Sequence, residues 1–247
     1  METSLGRPQA ELLCADLESV QVAVEVGADR IELCAGPEVG GLTPGVGLLD
    51  AALEVVGGRL DVVVLARPRV GGFGLRGPGE LGALVADVRA ARAAGARGVA
   101  VGVLRSDGTL DAEAMAELVS AAEDMAVTLH RAIDLTPDPV ATLDVAAGLG
   151  VRRVLTSGAA ATALEGAETI KALVEAARSR VEIVAASGVR GTNAAEVLRR
   201  TCAGALHGSC AGAVVDEPGL GMGALRPMDP TEAAGLVAAV RAAGPGR

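Results

Sequence analysis

The feature that most constrains this chain is a phrase that recurs four times: Gly27-Ala28-Asp29-Arg30-Ile31-Glu32-Leu33, Gly95-Ala96-Arg97-Gly98-Val99-Ala100-Val101, Gly150-Val151-Arg152-Arg153-Val154-Leu155-Thr156 and Gly204-Ala205-Leu206-His207. In each, a glycine follows helix-like sequence, where a left-handed C-terminal cap belongs, and an apolar strand starts soon after. These are helix-to-strand joints. The intervals between them leave room for two strand–helix units each, and the missing strands are visible in the gaps.

Period-two and apolar runs predict eight strands, over Glu11–Asp16, Arg30–Ala35, Asp61–Pro68, Gly98–Leu104, Ala126–Asp134, Arg152–Gly158, Val181–Gly188 and Ala205–Cys210. Between them, apolar positions recurring at three or four residues predict helices, most clearly over Gly79–Ala94, Asp111–Ala122, Pro139–Leu149, Ala163–Ser179, Asn193–Thr201 and Pro230–Ala243. Sharing 247 residues among eight βα units gives about 31 each, as a single-domain α/β fold of the (β/α)8 TIM-barrel type requires. A doubly wound open sheet is the competitor, but no G-x-G-x-x-G follows the first strand.

A barrel places its chemistry at the C-terminal ends of the strands. The candidates are then Asp16, Glu32 with Cys34, Arg67 with Arg69, His130 with Arg131 and Asp134, Thr156 with Ser157, Ser187, and His207 with Ser209. Strand parity turns Glu32 and Cys34 inward if Ile31 and Leu33 face the helices, and turns His130 inward if Val127 and Leu129 face out. Cys14 shares a face with Leu12 and Asp16 and is read as an inward neighbour of the second strand. Glu32, an inward carboxylate in an apolar strand, needs a partner, and Arg67 on the next strand is the expected one.

These residues divide into roles. His130, Glu32, Asp134 and Arg67 are the catalytic candidates, because histidine and carboxylates exchange protons near neutral pH. Arg67, Arg69, Arg131, Ser157, His207 and Ser209 are candidates for holding a small anionic metabolite. Cys14 and Cys34, on adjacent strands, are candidate thiolate ligands for Cu(I), although buried free cysteine is also an ordinary core residue. Lys171 falls inside a predicted helix, which argues against a Schiff-base aldolase, and no G-x-S-x-G marks a hydrolase nucleophile.

Composition narrows the partners. A formal charge of −9 with a single lysine argues against nucleic acid, whose phosphates require clustered cations. No run reaches the length of a membrane span, no signal-peptide layout opens the chain, and four scattered cysteines suit free thiols, so a cytoplasmic location is expected. Phe73 is the only aromatic residue, so the core must be built from Val, Leu, Ile and Ala.

Taken together, Gly27-Ala28-Asp29-Arg30-Ile31-Glu32-Leu33-Cys34, Gly40-Gly41-Leu42-Thr43-Pro44, Arg67-Pro68-Arg69, His130-Arg131-Ala132 with Asp134, Asp138-Pro139 and Arg153-Val154-Leu155-Thr156-Ser157-Gly158 followed by Ala163-Leu164-Glu165-Gly166 resemble the CutC copper-homeostasis family. The resemblance covers about residues 11–210, with a C-terminal loop and helix over 211–247 completing one domain over 1–247. It implies a cytoplasmic (β/α)8 barrel, a part in copper homeostasis, Cu(I) binding at Cys14 and Cys34, and a polar barrel mouth built like an enzyme site. The alternative function is an isomerase- or lyase-type enzyme moving a proton on a small anionic metabolite. The partner is then a copper ion or that metabolite, with neither nucleic acid nor membrane, and a homo-oligomer is compatible with all of these features.

Overall fold

In the computed structural model, which describes residues 7–216, 219–220 and 223–244, eight parallel strands close into a barrel in sequence order. The strands are β1 (Gln9–Cys14), β2 (Arg30–Leu33), β3 (Asp61–Leu65), β4 (Gly98–Val101), β5 (Ala126–Leu129), β6 (Arg153–Thr156), β7 (Glu182–Ala185) and β8 (Ala205–Gly208). The helices that alternate with them are α1 (Leu17–Val26), α2 (Val46–Val56), α3 (Pro78–Ala94), α4 (Ala112–Ala122), α5 (Pro139–Gly148), α6 (Ala167–Ala177), α7 (Ala194–Thr201) and α8 (Pro230–Ala242). The TIM barrel expected from the repeated joints is the fold.

The joints work largely as the sequence requires. Gly27, Gly57 and Gly95 cap α1, α2 and α3 in the left-handed conformation, which costs glycine nothing sterically. Gly204 differs from expectation: Cys202 takes the left-handed position after α7, at φ 56°. Gly204 is small for another reason, since a Cβ there would lie 3.1 Å from Glu182 Cγ on the neighbouring strand. Carboxylates open α1, α4, α5 and α8. Asp16 forms a capping box with Ser19, and Asp138 accepts from the Val140 and Ala141 amides ahead of Pro139.

Every strand ends two to five residues before its expected C-terminal limit, and the two largest shifts of a boundary have a local cause. The fifth strand stops at Leu129 instead of reaching Asp134, because His130 turns the chain into a 3-10 helix over Arg131–Leu135. The sixth helix starts at Ala167 and not at Ala163, because Gly158 and Gly166 bring two loop backbones into contact that leaves no room for a Cβ on either.

Two apolar layers follow from strand parity. Leu12, Cys14, Ile31, Leu33, Val62, Val99, Val127 and Leu206 pack outward against helix residues such as Val20, Ala23 and Leu236. Inside the barrel, Cys34, Val63, Leu65 and Ala100 form one apolar group, and Leu155, Val184, Ala186 and Ala205 another. Buried charge fills much of what remains. Arg30 pairs with Glu11 and reaches Glu182 at 3.4 Å, and Glu182 pairs with Arg153 at 3.1 Å.

Candidate functional site at the barrel mouth

A cavity of about 400 Å³ opens at the C-terminal ends of the strands. Its wall includes Glu32, Arg67, Phe73, His130 and Arg131 on one side, and the turns 187–190 and 207–211 after β7 and β8 on the other. Leu13, Leu65 and Leu155 supply an apolar floor.

Register explains the deepest polar group. Glu11 pairs laterally with Arg30 on β2 and with His207 on β8, so all three side chains enter the barrel at one level. Glu32 pairs with Leu13 one step nearer the mouth. Glu11 accepts from Arg30 Nε and stands 2.6 Å, through Oε1, from His207 Nδ1. Burial alone would raise the Glu11 carboxyl, but Arg30 and His207 outweigh it and hold the pKa at about 2. Burial opposes the charge of His207 too, yet its hydrogen bond to Glu11 and the nearby Glu32 raise its pKa.

Glu32 has a different environment. It is 4% exposed and makes no hydrogen bond with any described residue. Burial pushes its carboxyl up to about 7, with His207 pulling the other way. The expected Arg67 partner is occupied elsewhere: its guanidinium donates to the carbonyls of Val39, Gly41 and Gly71 and packs 5.3 Å from the Phe73 ring centre. Arg67 therefore pins loops around the mouth, and only its Nε is left buried without a partner among the described residues.

His130 is 5% exposed and stacks on Phe73 with ring centres 4.6 Å apart. Its Nδ1 accepts from the Ala132 amide, which places the proton of the neutral ring on Nε2. Burial lowers its pKa to about 4, so at neutral pH it is a hydrogen-bond donor toward the cavity and carries no charge. Gly102 makes the seat, since a Cβ there would stand 2.5 Å from His130 Cε1.

The remaining candidates separate. Arg131, His207 and Ser209 line the cavity. Arg69 does not; it is paired with Glu80 and donates to carbonyls of its own loop. The Asp134 side chain is 5% exposed and lies outside the wall, accepting from the Ser157 amide and hydroxyl, the Thr156 hydroxyl and Arg131 Nε. Ser157, fully buried, belongs to the same clasp. Both hold the end of β6 in place. Asp16 serves α1 as its cap.

The two cysteines do not share a cavity wall. Cys34 faces the barrel interior, whereas Cys14 is register partner of Leu33 and packs in the helix-facing layer with it. The inward reading of Cys14 is corrected by the parity of β1, whose inward residues are Glu11 and Leu13. Burial pushes the Cys14 thiol up to about 12 and raises Cys34 as well, so both are thiols at neutral pH.

Glu11, outside the residues expected at the site, is central to it. Its signal was available: a carboxylate inside an apolar strand belongs indoors with a partner, and that alone sets the parity of β1.

Residues 9–212 match the CutC family profile. The chain belongs to the CutC family. A family protein CutC of Sinorhizobium medicae is 40% identical over 206 residues, covering 83% of this chain and 82% of the relative. A family protein CutC of Pasteurella multocida is 40% identical over 196 residues, with 79% of each chain covered. Among solved structures, one from Streptococcus agalactiae described as a copper homeostasis protein CutC superposes with a TM-score of 0.78 at 29% identity, covering 82% of this chain and 98% of that one. A thiamine phosphate pyrophosphorylase from Pyrococcus furiosus, at 15% identity and a TM-score of 0.61, shares the fold alone. The family match spans the strands that build the mouth, from β1 through β8.

Proposed function

We propose that this chain is a TIM-barrel enzyme that moves a proton on a small anionic metabolite, of isomerase or lyase type. The observation that carries the reading is Glu32: a buried carboxyl on a cavity wall, without a hydrogen-bond partner among the described residues, poised at about 7. A group that takes and returns a proton near neutrality needs both forms accessible. His207, anchored by Glu11, stands beside it, and neutral His130 offers Nε2–H to a substrate oxygen. Arg131 and the turns after β7 and β8 supply donors for the anion.

The test is deuterium exchange. Small carboxylates and phosphate esters incubated with the protein in heavy water, followed by proton NMR, should lose a C–H signal. Glu32→Gln should slow that exchange at least about a hundredfold. Exchange at equal rates in both proteins would sink the reading.

A second reading places the chain in copper homeostasis, supported by the description of the Streptococcus agalactiae relative and by the inward thiol of Cys34. The opposite facing of Cys14 weighs against a two-thiolate ion without rearrangement of β1, because metal–sulfur bonds are only about 2.3 Å. An anaerobic Cu(I) titration comparing the wild type with the Cys14→Ala, Cys34→Ala double variant decides it: tight binding lost in the variant supports it, and equal weak binding removes it. For either reading we propose a cytoplasmic location, in keeping with the free thiols of Cys14, Cys34, Cys202 and Cys210. No described helix is long and apolar enough to cross a membrane.

A further inference from the structure

We propose that Glu32 and Nε2 of His207 form a site for a divalent first-row transition-metal cation at the floor of the mouth cavity, with Glu11 orienting the imidazole from behind. One donor atom from each of Glu11, Glu32 and His207 lies within 4.8 Å of both others. Donors around an ion with bonds of about 2.0–2.2 Å stand about 3–4 Å apart, a separation that Glu32 and His207 reach with a small closure of side chains. Metal-binding histidines ordinarily give their second ring nitrogen to a carboxylate, and His207 Nδ1 already stands 2.6 Å from Glu11 Oε1. Nε2 is the nitrogen left to ligate.

Glu32 is the independent witness. It is more than nine-tenths buried, has no hydrogen-bond partner among the described residues and lines the same cavity as His207. An unpaired carboxylate in that setting is costly unless a cation or proton meets it. Neither neighbouring arginine does so. Arg30 is turned to Glu11, Gln9 and Glu182, and Arg67 to backbone carbonyls. Oxygen and nitrogen donors select a borderline or hard divalent ion over Cu(I), which prefers thiolate. Glu32 and His207 both line the cavity, so water or an anionic ligand reaches the ion from that side.

One carboxylate cannot ligate a metal and shuttle a proton at once. A bound cation therefore takes Glu32 out of proton transfer, a consequence that rests on the functional reading above, whereas the binding itself does not.

Co(II) is the probe, titrated into the chelator-stripped full chain and followed by visible absorption and equilibrium dialysis without any metabolite. We expect one cobalt per chain, d–d bands in the visible and no thiolate charge-transfer band in the near ultraviolet. Glu32→Gln and His207→Gln should each weaken binding at least about tenfold, and Cys34→Ser should leave it unchanged. The wild-type result stands without any variant: failure to retain cobalt, or a thiolate band from Cys210 on the same wall, overturns the proposal. Equal binding by wild type and a folded Glu32→Gln also overturns it. None of these outcomes touches the deuterium-exchange result, so the two ideas fail separately.

Discussion

Burial acts on both histidines of this chain, and both face one cavity, yet they titrate in opposite directions. His207 has Glu11 at 2.6 Å to hold a proton; His130 has only a backbone amide on its acceptor nitrogen, with Phe73 against its ring. The stability consequence for His130 follows from proton count. Below its ordinary 6.5 the unfolded chain takes up a proton that the folded chain refuses until about pH 4. Its contribution is full above 6.5, declines as pH falls from 6.5 to about 4, and is level below that. The loss is on the order of 3 kcal/mol. Urea unfolding at pH 7 and pH 4.5 should therefore show a steeper decline in the wild type than in His130→Gln; equal declines contradict this. Gly102 supports the same ring, and Gly102→Ala places a methyl group 2.5 Å from Cε1 and 3.0 Å from the Ala132 Cβ. We expect about 1–3 kcal/mol of destabilisation from such overpacking. Weakened anion binding should accompany it, measured by thermal unfolding and ligand-induced shifts, and an unchanged melting temperature would show that the ring moves freely.

Between elements, Asp134 shows how a site candidate can be a fastener. It sits two residues before Thr136, but its oxygens are spent on Thr156, the Ser157 amide and hydroxyl, the Ala159 amide and Arg131. Removing it leaves buried donors of the β6 loop unmet, so Asp134→Ala should cost about 2–4 kcal/mol, while any deuterium exchange per folded molecule changes little. Exchange abolished with stability intact would restore Asp134 to the chemistry. The sequence could locate Asp134 beside the mouth, because strand ends are legible from apolar runs and proline stops. It could not say which way the carboxylate turns, because the 3-10 turn begun by His130 is set by one side-chain hydrogen bond and not by periodicity. The same holds for Arg67 and Arg69, whose guanidinium groups are consumed by carbonyls and by Glu80 that no spacing rule connects to them. Glu32 is legible and the facing of Cys14 is not, for one reason: a charged residue inside an apolar strand fixes its parity, and on β1 that residue is Glu11, at the edge of the expected strand, where apolar spacing alone gives no facing.

At the scale of the whole molecule, barrel closure brings residue 11 beside residue 207, and the ladder at that seam carries buried charge: Arg30 on β2, Glu11 on β1, His207 on β8. Arg30 is 1% exposed and also reaches Glu182 on β7, so one guanidinium ties strands from both ends of the chain. Such a group stabilises little relative to an apolar core, since both charges lose their water, but breaking it strands the partner. Glu11→Met should therefore cost about 3–5 kcal/mol by leaving Arg30 with only Glu182, at 3.4 Å, as a counter-charge and His207 unanchored. Arg30→Met leaves Glu11 with His207 alone and should cost a similar amount. In the double variant neither charge is left over, so we expect a large part of the loss to return, and the coupling to appear as strong non-additivity in a double-mutant cycle read by urea unfolding. His207 loses its carboxylate in the double variant as well, which keeps recovery short of complete and predicts weaker cobalt binding even where stability returns. Additive losses would mean that Glu11 and Arg30 act independently, and the seam would then be held by the apolar outer layer of Leu12, Ile31 and Leu206 alone.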